Sequence, residues 1–336
     1  ERRPMATIAD LLRDVPGVRV ADNTLPGMQR LRIRGEDARR SLVLIDGQEI
    51  SDHSTFGPPM LIDPSMIEQV EVVRGPHSTL YGSRAAGGVI NIITKQPREA
   101  NFFRASLGSG FSGATGGFRA NAAFAGGQNG WNYSLSASSS EDGDRETPNG
   151  TLITSSHESK SLMARLGYSH GNHDLSLVFD HFNMSSEATT RDDLVDGFVI
   201  SDFLLDLPQR DREKMGVFYD GYQFSDTLEK LHLDAYWQTV DRNITQKIAG
   251  VRFPITTPPS FYNYFNDDFD TIDSIGLNIQ ADWIPADKHD VITGISYLED
   301  DLDKQIDRTG TIISPPIITP ANIVSKTMSG IETLAF

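Results

Sequence analysis

Alternation of apolar and polar residues runs through the chain after residue 98, and it is the feature that most constrains the fold. The clearest run is residues 275–283, IGLNIQADW, in which every second side chain is apolar: Ile275, Leu277, Ile279, Ala281 and Trp283. Residues 162–168, 175–179 and 231–238 repeat this pattern. Successive side chains of a strand point to opposite faces, so each run predicts a strand with one apolar and one polar face. Runs of about ten residues with aromatic side chains near their ends are typical of transmembrane β-strands.

The connections between these runs alternate in length, which indicates an antiparallel barrel. The short connections are 126–131, 170–173, 225–230 and 285–290. The long ones are 141–159, 185–212, 244–270 and 300–326. Outer-membrane barrels carry short turns on one membrane face and long loops on the other. The count is about ten strands, of which the last is incomplete.

The first part of the chain mixes one helix with short strands. In residues 7–15, the positions of Ile8, Leu11, Leu12 and Val15 predict one helix face, and Pro16-Gly17 ends the helix. Strands are predicted in RLRIRG, SLVLI, VEVV and VINIIT. Asp46-Gly47, between VLI and QEI, is a strong signal for a two-residue hairpin turn.

Charge is distributed unevenly between the two parts. Residues 1–98 contain 13 basic and 12 acidic residues, and the remainder contains 17 basic and 34 acidic residues. Such an acidic remainder would be repelled by a phosphate backbone, so nucleic acid is not predicted as a partner. The chain has no cysteine, which excludes disulfides and thiolate metal sites from these 336 residues.

Residues 5–97 resemble the plug domain of TonB-dependent outer-membrane receptors. The matching segments occur in the same order as in the family and include Val73–Pro76, Leu80–Gly82 and Gly87–Ile92. The resemblance implies an α+β plug domain, residues 1–98, followed by an antiparallel transmembrane β-barrel, residues 99–336. Barrels of this family have about 22 strands, so the chain is interpreted as a plug with an incomplete barrel, from a fragment or a truncated gene product. The absence of a signal peptide before ERRPMATIADLL is read as processing or trimming.

The same resemblance implies the function of an energised uptake receptor in the outer membrane of a Gram-negative bacterium. The TonB energy-coupling complex, outer-membrane lipid and lipopolysaccharide would be its partners. Its ligand would be a small iron complex, either haem (also from a haem-carrying protein) or a ferric siderophore; cobalamin is the alternative. No intrinsic cofactor is expected, because haem or the siderophore is cargo.

Three plug residues are candidates for docking the plug to the barrel: Arg34 in RIRG, Arg74 in VRGP, and Glu71. In the family, arginines at the first two places meet barrel glutamates. A guanidinium forms bidentate hydrogen bonds with a carboxylate, and a buried pair needs that geometry to offset desolvation. The alternative interpretation is a solvated arginine at the end of a strand.

Six residues are candidates for ligand binding: His53, Phe56, Met60, Tyr81, Tyr262 and Tyr264. His53 lies in the loop after the hairpin, where similar haem receptors place a histidine that binds haem iron, so it is also the candidate metal ligand. The spacing to Asp63-Pro64 is about two residues longer here, and an exposed loop histidine is the alternative. The tyrosines lie in FYNYFNDDF, which could stack on a flat ligand or form an interfacial aromatic girdle.

Three other functions are weighed against uptake. Acidic runs at 141–144, 266–270 and 299–303 could supply oxygen ligands to Ca²⁺, but solvated acidic loops are the preferred interpretation because no EF-hand glycine is present. A small outer-membrane barrel enzyme would need a rim catalytic group, for which only His181 beside Asp180 is a hint, so an enzyme is not predicted. An adhesin or phage-binding role is compatible with uptake.

Overall fold

The computed structural model of the chain contains two bodies of β-structure that contact each other. It describes residues 8, 12, 14–21, 30–36, 38–51, 61–75, 85–97, 101–148, 150–152, 155–187, 200–252, 259–286, 289–314 and 317–333. Among these residues, no helix has the length and apolar character needed to cross a membrane.

The N-terminal body, called the plug below, is built on a four-stranded sheet. Its strands are β3 (Ser41–Ile45), β4 (Gln48–Glu49), β5 (Ile67–Arg74) and β6 (Gly88–Thr94), in the order β4-β3-β6-β5. The β3–β6 pair is parallel, and the other two pairs are antiparallel. A separate antiparallel pair joins β1 (Val18–Ala21) to β2 (Arg30–Ile33), and short 3₁₀ helices cover Ala38–Arg40 and Pro64–Met66. The predicted strands in RLRIRG, SLVLI, VEVV and VINIIT are therefore confirmed.

The plug core lies on both faces of this sheet, because β3 is apolar at every position after Ser41. Val43 and Ile45 pack with Ile90 and Ile92 of β6 on one face. Leu42 and Leu44 pack with Ala85 and Val89 on the opposite face. Ile8 and Leu12 are helical and join the first of these clusters; the rest of the helix predicted over 7–15 lies outside the described residues, except for the turn at its end.

Asp46 and Gly47 form the predicted two-residue turn between β3 and β4. Their φ angles are 52° and 83°, as a type I′ turn requires. The Asp46 carboxylate accepts hydrogen bonds from Thr94 N at 2.8 Å and Thr94 Oγ1 at 2.7 Å. Asp46 N also donates to Ile92 O at 2.9 Å, so the turn is fastened to the end of β6. Residues 41–51 are called the plug hairpin below.

The C-terminal body is one antiparallel sheet of ten strands, called the wall below. In chain order its strands are β7 (Phe102–Ser112), β8 (Gly117–Gln128), β9 (Trp131–Asp142), β12 (His157–His170), β13 (His173–Ser186), β14 (Ile200–Tyr222), β15 (Leu228–Arg252), β16 (Ser260–Ala286), β17 (His289–Ser314) and β18 (Ile317–Thr333). Each strand pairs with its neighbour in the chain, except that the small hairpin of β10 (Arg145–Thr147) and β11 (Gly150–Leu152) is inserted between β9 and β12. The predicted strand number and antiparallel order are confirmed, and the sheet is a partial barrel.

An apolar band covers the outer face of the wall. Its members include Ile275, Ile295 and Leu107, which are 55%, 65% and 89% exposed. Further members on other strands are Trp131, Leu162, Leu166, Leu175, Leu177, Met215, Val217, Trp237 and Leu277. An exposed apolar surface of this extent is stable only against another apolar phase, which agrees with the predicted lipid-facing side.

The structure agrees with the predicted short connections but not with two of the predicted long loops. The short turns lie at 129–130, 171–172 and 223–227 and, with the end of β16 at Ala286 and the start of β17 at His289, define the short-turn end of the wall. The predicted long loops 244–270 and 300–326 are wrong, because β15 to β18 continue through most of them as paired strands. Backbone pairing continues beyond the apolar band, so hydropathy alone could not mark the strand ends. This opposite side is called the long-hairpin end.

Candidate functional site

The plug hairpin is fastened to the inner face of the wall by a buried ion pair. Arg165 of β12 donates from Nη2 to Asp46 Oδ2 at 2.7 Å, and both side chains are 5% exposed. The same nitrogen is 3.1 Å from Thr94 Oγ1. The positive φ of Asp46 aims the carboxylate out of the turn, so one residue joins the hairpin, β6 and the wall.

Three further wall side chains bind the plug hairpin. Lys214 Nζ of β14 donates to the Ile45 carbonyl at 3.3 Å. Gln48 Nε2 donates to Asp234 Oδ1 of β15 at 2.9 Å. Ser51 Oγ donates to Asp300 Oδ1 of β17 at 2.8 Å. All four contacts are polar and buried, and they come from strands β12, β14, β15 and β17.

The register of the wall explains this arrangement. Cross-strand pairing places one inner-face residue from each of five strands in a single row: Asp180, Lys214, Gln238, Ser274 and Asp300. Polar residues at alternate positions therefore become a continuous polar stripe facing the plug. Gly216 lies next to this row, and a Cβ there would be 3.1 Å from Gln48 Oε1, so the glycine makes room for the Gln48 amide.

Beyond this row, toward the long-hairpin end, the inner face carries a cluster of apolar side chains between charged ones. Leu61 of the plug packs there with residues of the wall strands β13 to β17: Phe182, Met184, Leu207, Val240, Ile244, Ile272 and Leu302. We call this surface, with the inner face beyond it, the vestibule. An apolar concave surface next to placed polar groups is the general form of a small-molecule site.

The charged residues of the vestibule are largely paired with each other. Arg242 pairs with Asp270, and Lys304 Nζ contacts Asp268 Oδ1 at 2.6 Å and Asp270 Oδ1 at 2.8 Å. Arg212 pairs with Asp180 across β13 and β14. These pairs neutralise buried charge and hold neighbouring strands in register.

Tyr262 and Tyr264 lie on the inner face of β16, farther toward the long-hairpin end. Their ring centroids are 5.5 Å apart with a tilt of 32°. Gly310, the cross-strand partner of Tyr264, leaves space for its ring, since a Cβ there would lie 2.6 Å from Tyr264 Cδ1. The structure thus brings these two predicted ligand-binding residues to the vestibule side of the wall. They belong to a paired strand rather than to a loop.

The other four predicted ligand-binding residues, His53, Phe56, Met60 and Tyr81, lie outside the described residues. The residues that flank the first three are placed: Ser51 binds Asp300, and Leu61 packs in the vestibule. The roles predicted for His53 and its neighbours stay predictions.

The three residues predicted to dock the plug have described contacts within the plug. Arg74 Nη1 donates to the Pro16 carbonyl at 2.8 Å. Glu71 accepts hydrogen bonds from Gln69 and Asn91. Arg34 lies beside Gly75, where a Cβ would be 3.4 Å from its Nη1. Their docking to barrel carboxylates stays a prediction, whereas the tether through Arg165 and Asp46 was not predicted.

A second polar cluster lies at the outer ends of β8, β9 and β12, beyond the apolar band. Asp142 accepts hydrogen bonds from Thr115 Oγ1 at 2.6 Å and Arg119 Nη2 at 2.7 Å. Burial raises the pKa of Asp142, but these two hydrogen bonds outweigh burial and hold the pKa below its ordinary value. Burial lowers the pKa of neighbouring His157, whose Nδ1 is 3.2 Å from the Ser185 carbonyl. These groups stabilise the rim.

The enzyme and calcium alternatives gain no site. Adjacent residues of β13 point to opposite faces, and Asp180 is buried against Arg212, so His181 and Asp180 do not form the catalytic pair considered for an enzyme. Within the described ranges, no group of three or more His, Cys, Asp or Glu residues is arranged to hold a metal ion. Several of the acidic residues considered for Ca²⁺ bind other side chains instead, including Asp142, Asp268, Asp270 and Asp300.

A cavity lies between plug and wall at the short-turn end. Its volume is about 490 Å³. It is bounded by Gln96 and Pro97 at the end of the plug and by residues from six wall strands, among them Trp131, Arg165 and Lys230. Arg165 thus contacts the plug hairpin and also lines this cavity. A signal for Arg165 was present in the sequence, because it is a polar member of the alternating run 162–168.

Comparison with known proteins supports the plug assignment. Residues 1–89 match the family model described as TonB-dependent Receptor Plug Domain. The ferric enterobactin receptor PirA of Pseudomonas aeruginosa is 34% identical over 114 residues, which are 30% of this chain and 15% of that protein. The vitamin B12 transporter BtuB of Vibrio vulnificus is 38% identical over 112 residues, covering 33% of this chain and 18% of that transporter. The matches span less than a fifth of these relatives.

Solved structures share the arrangement of plug and wall. The copper transporter OprC superimposes with a TM-score of 0.67 at 18% identity, over 94% of this chain and 46% of that one. The ferric yersiniabactin uptake receptor FyuA from Yersinia pestis gives 0.56 at 15% identity, over 96% of this chain and 58% of that one. At these identities the likeness shows the fold. Residues 1–89 are therefore a TonB-dependent receptor plug domain, and the wall that follows has the fold of these transport proteins.

Proposed function

We propose that the chain supplies the plug and part of the barrel of an outer-membrane receptor that imports a ferric siderophore, with energy from the TonB complex. The observation that carries this proposal is the plug hairpin seated on the inner face of the wall. A plug held there closes a barrel too wide to be filled by its own side chains. A closed barrel imports cargo only if the plug moves, and this requires an energy source.

The organisation predicted from the sequence fits this role. We place the plug in residues 1–98 and the barrel in residues 99–336. The apolar band would face the lipid of a Gram-negative outer membrane, with lipopolysaccharide around the outer ends of the strands. The short-turn end would then face the periplasm, where the TonB complex acts.

The vestibule is the proposed ligand site. Its apolar cluster and the paired rings of Tyr262 and Tyr264 suit a flat, partly aromatic iron complex such as a ferric catecholate. Two ferric enterobactin receptors among the relatives support this ligand class, one from Pseudomonas aeruginosa and one from Escherichia coli K12. Haem held by His53 remains a separate prediction for the same space.

The test is uptake of radioactive ferric enterobactin by cells that carry the full-length receptor as their sole siderophore receptor. We expect saturable accumulation that stops when TonB is deleted, while surface binding persists. Tyr264→Ala should weaken binding, and Phe269→Ala, on the outer face of the same strand, is the matched control. Absence of both binding and uptake would refute a ferric catecholate.

Cobalamin is the second candidate, because the transporter BtuB of Vibrio vulnificus is the relative with 38% identity over 112 residues. The same cells can be given labelled cobalamin. TonB-dependent accumulation of cobalamin, without accumulation of the iron complex, would replace the first proposal with this one.

A further inference from the structure

Two exposed histidines flank the short turn between β12 and β13. His170 ends β12, His173 begins β13, and the two residues are directly paired across the strands. The turn between them contains only Gly171 and Asn172. Gly171 has a φ of 57°, as a two-residue hairpin turn with glycine in the first central position requires. Directly paired residues of a hairpin project from the same face of the sheet, so both imidazoles stand on one surface.

This surface is the outer face of the wall, at the edge of the apolar band. Tyr168, Leu175 and Tyr219 form the adjacent row toward the band, since Leu175 pairs with Tyr168 on one side and with Tyr219 on the other. Tyr168 and Leu175 are 37% and 48% exposed, which marks the row as outward-facing. His170 and His173 lie one row farther toward the short-turn end, and both are exposed. A solute at the short-turn end therefore reaches both rings.

Two neighbouring tyrosines orient the histidine rings. The ring of His170 is nearly parallel to that of Tyr168, with an angle of 4° and centroids 6.3 Å apart. The ring of His173 lies 6.0 Å from that of Tyr219 at an angle of 19°, and its Nδ1 is 2.8 Å from Tyr219 Oη. When Nδ1 donates this hydrogen bond, Nε2 carries the free lone pair. Histidines that bind metals commonly have one ring nitrogen hydrogen-bonded in this way and the other bound to the ion.

The spacing and the donor atoms suit one transition-metal ion. Directly paired residues of an antiparallel hairpin have Cβ atoms roughly 5 Å apart. Two imidazole nitrogens, each about 2 Å from a shared ion, fit that separation. Imidazole is a ligand for Zn²⁺, Ni²⁺ and Cu²⁺, and Cu²⁺ binds most strongly to a given set of nitrogen ligands. Calcium and magnesium ions prefer oxygen ligands and do not match the pair.

We propose that His170 and His173 bind one divalent transition-metal ion, such as Cu²⁺ or Zn²⁺, with water in the remaining coordination positions. The site goes beyond the proposed uptake function, because it lies on the outer face of the wall and its ion is not the imported iron complex. The bound ion cross-links the two ends of the turn, so the β12–β13 hairpin opens less often. Tyr219 is a positioning residue, since it holds His173 without touching the ion.

Zinc provides the first test, because Zn²⁺ has no redox chemistry. The dissociation constant is measured on the full-length receptor in detergent by competition with a chromogenic chelator. Hydrogen exchange is then followed with and without ZnCl₂. At free Zn²⁺ tenfold above the dissociation constant, protection of the hairpin amides around residues 168–175 should rise about tenfold.

Single substitutions locate the ion. His170→Asn and His173→Asn should each abolish the zinc-dependent rise in protection. His289→Asn is the matched control, because His289 is also exposed at the short-turn end but pairs with an alanine, Ala286. An unchanged rise in either of the first two variants, or no rise in the unmodified receptor, would overturn the site. Uptake is not measured here, so failure of this test is distinct from failure of the proposed function.

Copper provides a second readout. One equivalent of Cu²⁺ should give an electron paramagnetic resonance spectrum with splitting from imidazole nitrogens, and either histidine variant should lose that splitting. Tyr219→Phe keeps the ring and removes only the hydrogen bond to His173. We expect it to weaken Zn²⁺ binding several-fold while protection without zinc stays unchanged. Unchanged Zn²⁺ affinity in Tyr219→Phe would contradict the positioning role, and a copper spectrum that is the same in the histidine variants would contradict the site.

Discussion

The plug core and the interface between plug and wall are both buried, but they are built from opposite chemistry. Inside the plug, Val43, Ile45, Ile90 and Ile92 pack against one another with 0–2% exposure. At the interface, the hairpin meets Arg165, Lys214, Asp234 and Asp300. Apolar packing makes the plug one cooperative unit, whereas the hairpin itself meets the wall through polar contacts. Apolar contact between plug and wall lies beside the hairpin: Met163 packs with the plug core beside Met66, and Leu61 packs with the wall residues of the vestibule.

The largest effect should come from the plug core. Ile90→Ala creates a cavity at the centre of the sheet and should cost about 4 kcal/mol of plug stability. Hydrogen exchange of β3 and β6 amides in the full-length receptor measures this cost. Ile295→Ala, in the exposed outer band, is the control. Unchanged protection in Ile90→Ala would show that the wall, and not the core, holds the plug sheet together.

The next effect should come from the ion pair. Arg165→Leu leaves the buried Asp46 carboxylate with its Thr94 bonds alone and should cost about 3 kcal/mol of docking free energy. We expect residues 45–51 to exchange faster while β6 keeps its protection. Arg212→Leu strands Asp180 in the wall and should leave the hairpin unaffected. Loss of β6 protection in Arg165→Leu would show that the plug core and the interface between plug and wall open together as one cooperative unit.

A smaller effect is expected at Ser51. Ser51→Ala removes one hydrogen bond to Asp300 and should weaken docking by about 1 kcal/mol. The readout is the exchange rate of the amides next to residue 51. Ser41→Ala removes a hydroxyl inside the plug that has no described partner and should not speed that exchange. A larger effect of Ser41→Ala on this exchange rate would show that the plug interior, and not the contact with the wall, controls the exposure of residue 51.

The smallest effect concerns the rim and depends on pH. Burial lowers the pKa of His157 from 6.5, so the unfolded rim binds a proton more readily than the folded one. Stability conferred by neutral His157 is therefore present at high pH and decreases as pH falls below that unfolded value. Protection factors at the start of β12, which are corrected for the intrinsic pH dependence of amide exchange, should fall as the pH is lowered from about 7.5 to about 5. His157→Gln should remove most of this dependence, and an unchanged profile would assign it to another group.

The repeating parts of the fold could be predicted because they obey local rules. Runs such as IGLNIQADW fix which side chains share a face, and Asp46-Gly47 fixes a type I′ turn, whatever lies around them. The strand ends could not be predicted in the same way. β15 to β18 keep pairing with their neighbours through segments that the sequence predicts to be loops.

The candidate site was harder to predict, because it depends on which plug residue meets which wall residue. Arg165 and Asp46 are 119 positions apart, and nothing local distinguishes Arg165 from other polar residues of an inner face. Tyr262 and Tyr264 were chosen as candidates because they lie in the aromatic segment FYNYFNDDF, and their role as ligand contacts stays a prediction. Their place on a strand became visible only through the pairing of Tyr264 with Gly310.

The length of the wall strands has a consequence for what the cell presents to its surroundings. β16 contains 27 residues, roughly 90 Å of strand if fully extended, whereas about ten residues cross a bilayer. More than half of such a strand would stand outside the membrane as hydrogen-bonded sheet. An antibody or a phage fibre would therefore meet a rigid sheet whose backbone N–H and C=O groups are already hydrogen-bonded. Variants that escape such recognition would have to change outward-facing side chains, because insertions and deletions would disrupt the register of the paired strands.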